Sequence, residues 1–504
     1  MAQPAKVVDN QIHLSRLAEM RGAGGTVLTR GLDDNVIVRF LATDAALATA
    51  IERAHALYAE LRATRPDLVD LDEAQQMQRL QDGIVNFYAA DAVNPYVAAA
   101  AQGPWIVSLK GAVIYDCGGY GMLGLGHAPQ PVLDAMNQPH VMANVMTSSI
   151  SQMRFIEKLR AEIGHTRKGG APFSHFMCLN SGSEAVTVAS RLADINAKTL
   201  TDPGARHEGH DIRGLTLRGS FHGRTDRPAR LSHSTQKSYR KHLASFKDQD
   251  YLLTVEPNDV EALEATFAKA QADNIFIEAF FMEPVMGEGN PGQAITPEFY
   301  LRARELTAAH GALLVVDSIQ AGLRAHGVLS LVDYPGFRDL PPPDMETYSK
   351  ALNAGQYPLS VLAMSGEAAA LYRQGIYGNT MTSNPRALDV AVRVLEHLTP
   401  DVRNNIVERG QQLLDGFKRL KDELGDAITR VQGTGLLLSC ELNARYKCYG
   451  AGSTEEFLRQ NGLGVIHGGT NSLRFTPTFV MTKDEADLVI DLTREALENG
   501  PATV

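Results

Sequence analysis

Two stretches, IFIEAFFMEPVMGEG (275–289) and GALLVVDSIQAG (311–322), each carry an apolar run that meets an acid. A half-buried strand alternates apolar and polar residues, whereas a near-continuous apolar run belongs to a strand covered on both faces, as in a parallel sheet. Helical patterns lie between such runs. TPEFYLRARELTAAHG offers Thr296 as N-cap and Pro297 at the first helical position. SHFMCLNSGSEAVTVASRLADI reads as a short strand, a small-residue turn and a helix, and IRGLTLRGSFHGRT as a strand running into a loop. This alternation predicts an α/β fold with a large, doubly wound, mainly parallel sheet.

The flanks differ in texture. DAALATAIERAHALYAELRATRP and LDEAQQMQRLQDGIVNFYAADA are rich in Ala, Leu and charge at helical spacing, with Pro66 and Pro95 as punctuation. They predict a helical N-terminal extension over 1–104. WIVSLKGAVIYDCGG reads as a hairpin and opens a segment, 105–155, that forms the N-terminal part of a small domain and the entry to the site. The large domain follows over 156–385. A C-terminal α+β domain, 386–504, holds the amphipathic helix DVRNNIVERGQQLLDGFKRLKDEL and the short strands GTGLLLSCEL and NSLRFTP.

A net charge of -10 argues against a nucleic-acid-binding surface but leaves room for a small anion in a local pocket. The four cysteines, Cys117, Cys178, Cys440 and Cys448, form no C-x-x-C pair, which fits a reducing compartment and no zinc site. The first twenty residues contain no apolar leader core, and no run reaches the roughly 18 apolar residues of a membrane span. The expectation is a cytoplasmic protein off the membrane.

Gly119, Gly121 and Gly124 match the dinucleotide pattern G-x-G-x-x-G, but Pro129 and Pro131 follow closely where a helix should open. The stronger features lie elsewhere. In LNSGSEAVTVAS, a strand delivers Ser181, Gly182 and Ser183 to a helix start, where free N–H groups and the helix dipole favour an anion; a plain serine cap with Glu184 in the first turn is the competing reading. Asp317 ends a buried strand, and an ionised acid there needs a cation such as a protonated pyridine nitrogen. Phe221 and His222 follow another strand end, and Glu283 and Glu288 flank Pro284 and a glycine turn. Singly, these also read as a capping acid, a core aromatic and solvated glutamates. Lys350, in PPPDMETYSKALNAGQYPLS, stands 33 residues after Asp317; alone it reads as a surface lysine. An anion cradle, an aromatic, a strand-end acid and a lysine, in that order, are what pyridoxal 5'-phosphate requires.

In combination the motifs NSGSEA, FHGRT, EPVMGEG, VVDSIQAGLRAHG, SKALNAGQYPLS, NTMTSNP and RFTPT resemble, in order, those of the class III aminotransferases, the group of ornithine, acetylornithine, lysine-epsilon and 4-aminobutyrate aminotransferases. The resemblance spans residues 105–498. It implies the fold of the type I pyridoxal-phosphate transferases and a ping-pong transfer of an amino group from an amine or ω-amino acid to an oxo acid, 2-oxoglutarate. Lys350 is similar to the Schiff-base lysine and proton shuttle, Asp317 to the partner of the ring nitrogen, and Gln320 to the contact of the ring's phenolic oxygen. Gly182 and Ser183, with Ser181, resemble the phosphate cradle, Phe221 the stacking aromatic, and His222 and Glu283 its active-site neighbours. Thr380 resembles the threonine that reaches the phosphate of the other subunit, which implies a homodimer. Arg474 resembles the arginine that grips an α-carboxylate, and Glu288 the acid that pairs with it when the other substrate is bound.

Three features depart from the family pattern: Ser318 where a glutamate usually follows the aspartate, FTPT after the arginine, and the N-terminal extension. A racemase, aminomutase or lyase would share the same lysine chemistry, but the pairing of Arg474 with Glu288 favours an enzyme that alternates two substrates. A regulatory cofactor-binding domain is the third reading, and an intact Lys350 weighs against it.

Overall fold

A computed structural model describes residues 10–142, 145–247 and 250–502, so the first nine residues of the expected extension and the last two of the C-terminal domain lie outside the described residues. Helices Asn10–Arg21, Asp34–Leu41, Ala45–Thr64, Pro66–Val69 and Glu73–Gln81 make up the extension. The Ala45–Thr64 helix starts where Asp44 accepts from Ala46 N at 2.8 Å and stops just before Pro66. The same Asp44 accepts from the indole nitrogen of the buried Trp105 at 2.6 Å, and Phe40 packs on that ring at 5.1 Å. The extension is thereby fastened to the strands that follow it.

Those strands are β1 (Ala98–Gln102), β2 (Trp105–Ser108) and β3 (Val113–Asp116), an antiparallel set. The division drawn at 104/105 cuts the β1–β2 hairpin, so the helical part ends before Ala98. The expected hairpin over WIVSLKGAVIYDCGG is β2 paired with β3.

The central sheet has seven strands: β4 (His175–Leu179), β5 (Asp211–Leu217), β6 (Leu252–Val255), β7 (Ile275–Met282), β8 (Leu313–Asp317), β9 (Met345–Tyr348) and β10 (Ser360–Met364). Their spatial order is β4-β10-β9-β8-β7-β5-β6, and only β10 runs antiparallel to its neighbours. The interior strands β7, β8 and β9 are buried on both faces, which is why β7 and β8 read as apolar runs. The crossover helix Pro297–His310 begins as its sequence predicts, with Thr296 Oγ accepting from Phe299 N at 3.2 Å and Pro297 in the first turn.

Beyond the long helix Pro400–Glu423, strands β11 (Ile428–Thr434), β12 (Leu437–Leu442), β14 (Ile466–Gly468) and β15 (Ser472–Phe475) form a third sheet, while β13 (Leu463–Gly464) joins the first by pairing with β3. The β3–β13 pair therefore joins the chain that precedes the central sheet to the chain that follows it. After Gly124 the chain turns, and a helix, Gln130–Met136, opens only six residues later, with Pro129 as its N-cap and Pro131 in its first turn; a Cβ on Gly124 would stand 2.4 Å from the Phe479 ring. No helix among the described residues is long and apolar enough to cross a membrane.

Candidate active site

Parallel pairing brings the strand ends level at one edge of the central sheet. Asp317 of β8 is in register with Thr347 of β9, and Met282 of β7 with Val316 of β8. The residues after each strand end therefore converge: Ser181, Gly182 and Ser183 after β4, Phe221 and His222 after β5, Glu283 after β7, Asp317 and Gln320 at β8, and Lys350 after β9. All of these line one cavity of about 180 Å³.

Lys350 opens a short 3-10 turn with φ 46, a left-handed conformation that costs a lysine energy and that its surroundings must enforce. Burial pushes its ammonium down to about 8; the Arg474 guanidinium acts in the same direction, against Glu288, Glu283 and Asp317. An amine with that pKa is partly neutral near pH 7, so it can act as a nucleophile or take up a proton.

Asp317 is buried among donors. Its Oδ2 lies 2.8 Å from Nδ1 of the buried His222, and its Oδ1 accepts from Thr347 Oγ1 at 3.0 Å and Ile319 N at 3.2 Å. His222 is steadied in turn by Thr216, whose hydroxyl lies 3.0 Å from Nε2. Glu283 accepts from Phe221 N at 2.9 Å and Gly287 N at 2.8 Å, so it ties the aromatic's loop to the glycine turn. Burial pushes its carboxyl up to about 7.

The helix Gly182–Thr201 starts in the cavity wall. Ser181 Oγ accepts from Glu184 N at 3.3 Å, and Glu184 accepts from Ser181 N at 3.1 Å, a reciprocal cap. The Ser181 hydroxyl is thus a cap, as the plainer reading has it. The N–H groups of Gly182 and Ser183 sit in the first turn, where no intrahelical acceptor exists. A Cβ on Gly182 would come within 2.6 Å of Ile319 Cδ1. Ser183 Oγ accepts from Arg224 N at 3.2 Å, which leaves its proton for an anion. A glycine-tight helix start, an aromatic, a buried acid surrounded by donors and a partly neutral lysine fit pyridoxal phosphate. Among the described residues no group of three or more His, Cys, Asp or Glu could hold a metal ion.

Three sequence-predicted residues stand outside the cavity wall. Arg474, on β15, lies behind Gln320: its Nη1 donates to Gln320 Oε1 at 3.3 Å and to the Gly287 carbonyl, its guanidinium faces the Tyr120 ring at 5.6 Å, and its buried Nε has no partner. Glu288, expected to pair with Arg474 when the other substrate is bound, lies 3.8 Å from Arg224. Glu288 still opposes the burial that lowers the Arg474 pKa. Thr380 is exposed, and its neighbour Asn379 donates to Glu184 Oε1 at 2.8 Å.

The structure also brings in residues that sequence reasoning passed over. Arg224, in the motif FHGRT, stacks against both Phe87 at 5.5 Å and Phe221 at 5.2 Å. Its place just after a strand end was the available clue. Glu346, inside β9, accepts from Ser318 Oγ at 2.5 Å, Ser330 Oγ at 2.5 Å and Leu331 N at 2.9 Å. A carboxylate is therefore present beside the strand-end aspartate after all, supplied by the neighbouring strand and held by Ser318. The second departure, FTPT, places Thr476 where its hydroxyl accepts from Gly121 N at 3.3 Å and donates to the Cys117 carbonyl at 3.1 Å.

Comparison with known proteins bears on this geometry. The family described as aminotransferase class-III matches residues 87–497. Ornithine aminotransferase 2 of Staphylococcus aureus (strain MRSA252) is 28% identical over 420 residues, covering 80% of this chain and 94% of that protein. Among solved structures, ornithine aminotransferase from Toxoplasma gondii ME49 superposes with a TM-score of 0.71 at 22% identity, over 87% of this chain and 98% of that one. Acetylornithine aminotransferase from Elizabethkingia anophelis gives 0.66 at 21%, over 85% and 99%. At these identities the two structures speak for the fold.

Proposed function

The chain belongs to the class III aminotransferases, pyridoxal-phosphate-dependent enzymes, and from that premise we propose that the cavity around Lys350 holds the cofactor and moves an amino group from an ω-amino acid to 2-oxoglutarate. The observation that carries this reading is the convergence of Ser183, Phe221, Asp317, Gln320 and Lys350, from four separate strand ends, on one cavity. Pyridoxal phosphate, when bound, supplies a carbonyl that condenses with amines and a ring that accepts the electrons released on C–H cleavage.

The residues of the chain do the rest. Gly182 and Ser183 bind the phosphate through first-turn N–H groups and a hydroxyl. Asp317, oriented by His222, Thr347 and Ile319 N, holds a proton on the ring nitrogen. Lys350 would hold the cofactor and would take up and return the proton lost from the substrate's amine-bearing carbon, a task suited to an amine whose pKa is about 8. Arg474 and Arg224 are two cationic anchors, one buried and one at the mouth. Arg474 takes the α-carboxylate of glutamate or 2-oxoglutarate through a guanidinium with an unpartnered Nε. Arg224, loosely paired with Glu288, takes the second carboxylate or that of the donor.

The relatives are ornithine aminotransferases, which makes ornithine the first donor to try. The enzyme works as a homodimer, with Thr380 reaching the partner's phosphate. In support, Val141, Met142, Ile150, Met153 and Met381 are all exposed, and the segments that carry them border one cleft lined by Val145 and Thr382. Four free cysteines are compatible with a cytoplasmic setting.

The test is product analysis on enzyme reconstituted with pyridoxal phosphate. With ornithine and 2-oxoglutarate, the reading expects glutamate in equal amount to the oxo acid consumed. Racemised or isomerised donor with no glutamate formed would contradict it.

A further inference from the structure

Arg324 is wholly buried, yet among the described residues no carboxylate pairs with it. Its guanidinium donates only to backbone carbonyls: Leu436 O at 3.2 Å and Pro477 O at 2.5 Å through Nη1, and Gly121 O at 3.3 Å through Nη2. It also lies over the Phe479 ring at 5.1 Å. Burial pulls its pKa down to about 9. A bare cation in a core is expensive, and an apolar side chain of similar length would fill the space at lower cost. Its placement therefore calls for an explanation beyond packing.

The three carbonyls come from three separate segments, two of which carry substrate-site residues. Gly121 directly follows Tyr120, and both stand in left-handed backbone, with φ 53 for Tyr120 and φ 80 for Gly121. Such a turn is strained at the tyrosine and keeps its shape only if held. Pro477 lies three residues after Arg474. The Tyr120 ring and the Arg474 guanidinium face each other at 5.6 Å. Arg324 thus joins the turn that presents Tyr120 to the chain that presents Arg474, and a rigid planar fork with several donors can bridge segments that one ammonium cannot.

We propose that Arg324 is a positioning residue that sets the gap between Tyr120 and Arg474, and through it the enzyme's discrimination for an α-carboxylate. This rests on the reading of Arg474 as the carboxylate anchor.

The test uses the full-length holoenzyme, with Arg324→Met to remove the donors and Arg324→Lys to keep the charge but not the fork. Both are expected to load pyridoxal phosphate with an unchanged absorption spectrum. KM for 2-oxoglutarate should rise about tenfold or more, with kcat at saturation nearly unchanged. In an Arg474→Ala background, Arg324→Met should add no further rise. A crystal structure of Arg324→Met should show the Tyr120–Arg474 spacing changed from 5.6 Å.

If Arg324→Met instead lowers kcat for every substrate alike and in step with the melting temperature, Arg324 is merely structural and the proposal fails. If Arg474→Ala alone leaves KM for 2-oxoglutarate untouched, the anchor reading is what fails. The spacing in the variant crystal then decides the role of Arg324 by itself, and an unchanged spacing overturns it. Should Arg324→Met not fold, Arg324→Lys carries the same two readouts.

Discussion

Nδ1 of His222 lies 2.8 Å from Oδ2 of Asp317, and both side chains are buried. The contact links the loop after β5 to the end of β8, and it fixes the acid's orientation in the wall of the cavity. Asp317→Asn would keep the shape but turn an amide N–H₂ toward groups that are themselves donors. Replacing a buried charge partner in this way costs about 3–5 kcal/mol, so single-turnover rates are expected to fall about a hundredfold or more. Rapid mixing of the variant holoenzyme with donor measures this, and near-normal rates would make Asp317 a structural acid only.

Lys350→Ala is expected to abolish turnover while the phosphate cradle still retains cofactor. Borohydride reduction of the wild-type holoenzyme followed by peptide mapping should tag Lys350 and no other lysine. Because burial holds this amine at about 8, the rate of cofactor capture by apoenzyme should rise with pH through that value and level off above it. A flat rate between pH 7 and 9 would contradict the assignment.

The two arginines are expected to separate the half-reactions. Arg474→Ala removes a charged hydrogen-bonding contact worth about 1.5–3 kcal/mol, so the glutamate and 2-oxoglutarate half-reaction should slow about ten- to a hundredfold. Arg224→Ala should act more on substrates with a second carboxylate, and Glu288→Ala, which frees Arg224, should strengthen their binding. Stopped-flow traces of both half-reactions for the three variants check this; equal damage to both halves by Arg474→Ala and Arg224→Ala would remove the two-anchor arrangement.

Glu346 predicts a pH effect on stability. Burial raises its carboxyl from 4.5 to about 7, against the hydrogen bonds of Ser318, Ser330 and Leu331. The folded state therefore holds the proton more tightly than the unfolded state does, so the stabilisation is complete below the unfolded value and is lost as pH rises through the folded one. Relative to Glu346→Gln, wild type should lose up to about 3 kcal/mol between pH 4.5 and 8. Glu278, Glu283 and Glu485 are also raised but are common to both proteins and cancel in the difference. Melting curves of the two at a series of pH values test it, and parallel profiles would count against a strained acid at 346.

Much of this site is legible in the chain because parallel strands announce themselves as apolar runs, and the residues that end those runs must lie at one edge. That logic reaches Asp317, Ser183 and Phe221 without any knowledge of side-chain partners, whereas Lys350, after METY, is reached from its place in the ordered set. It fails where the partner is distant in sequence. Glu346 hides inside METY, and only strand pairing reveals that it meets Ser318. Glu288 is read as the partner of Arg474 when the other substrate is bound, and nothing local shows that the glycine turn also sets it 3.8 Å from Arg224. The alanine run at 98–102 falls inside the extension expected to be helical, but pairing with β2 makes it a strand, overriding alanine's preference for helix. Arg324 gives no local clue, since its three carbonyl partners lie more than a hundred residues away on either side.

The most direct test of the account is a rapid-mixing experiment on the wild-type holoenzyme with L-glutamate alone. The two-anchor site around Lys350 predicts that glutamate bleaches the yellow cofactor to its amine form in a single exponential, with one equivalent of 2-oxoglutarate released, and that added 2-oxoglutarate restores the colour. A holoenzyme that stays yellow with glutamate while still converting an amino-acid donor would contradict it.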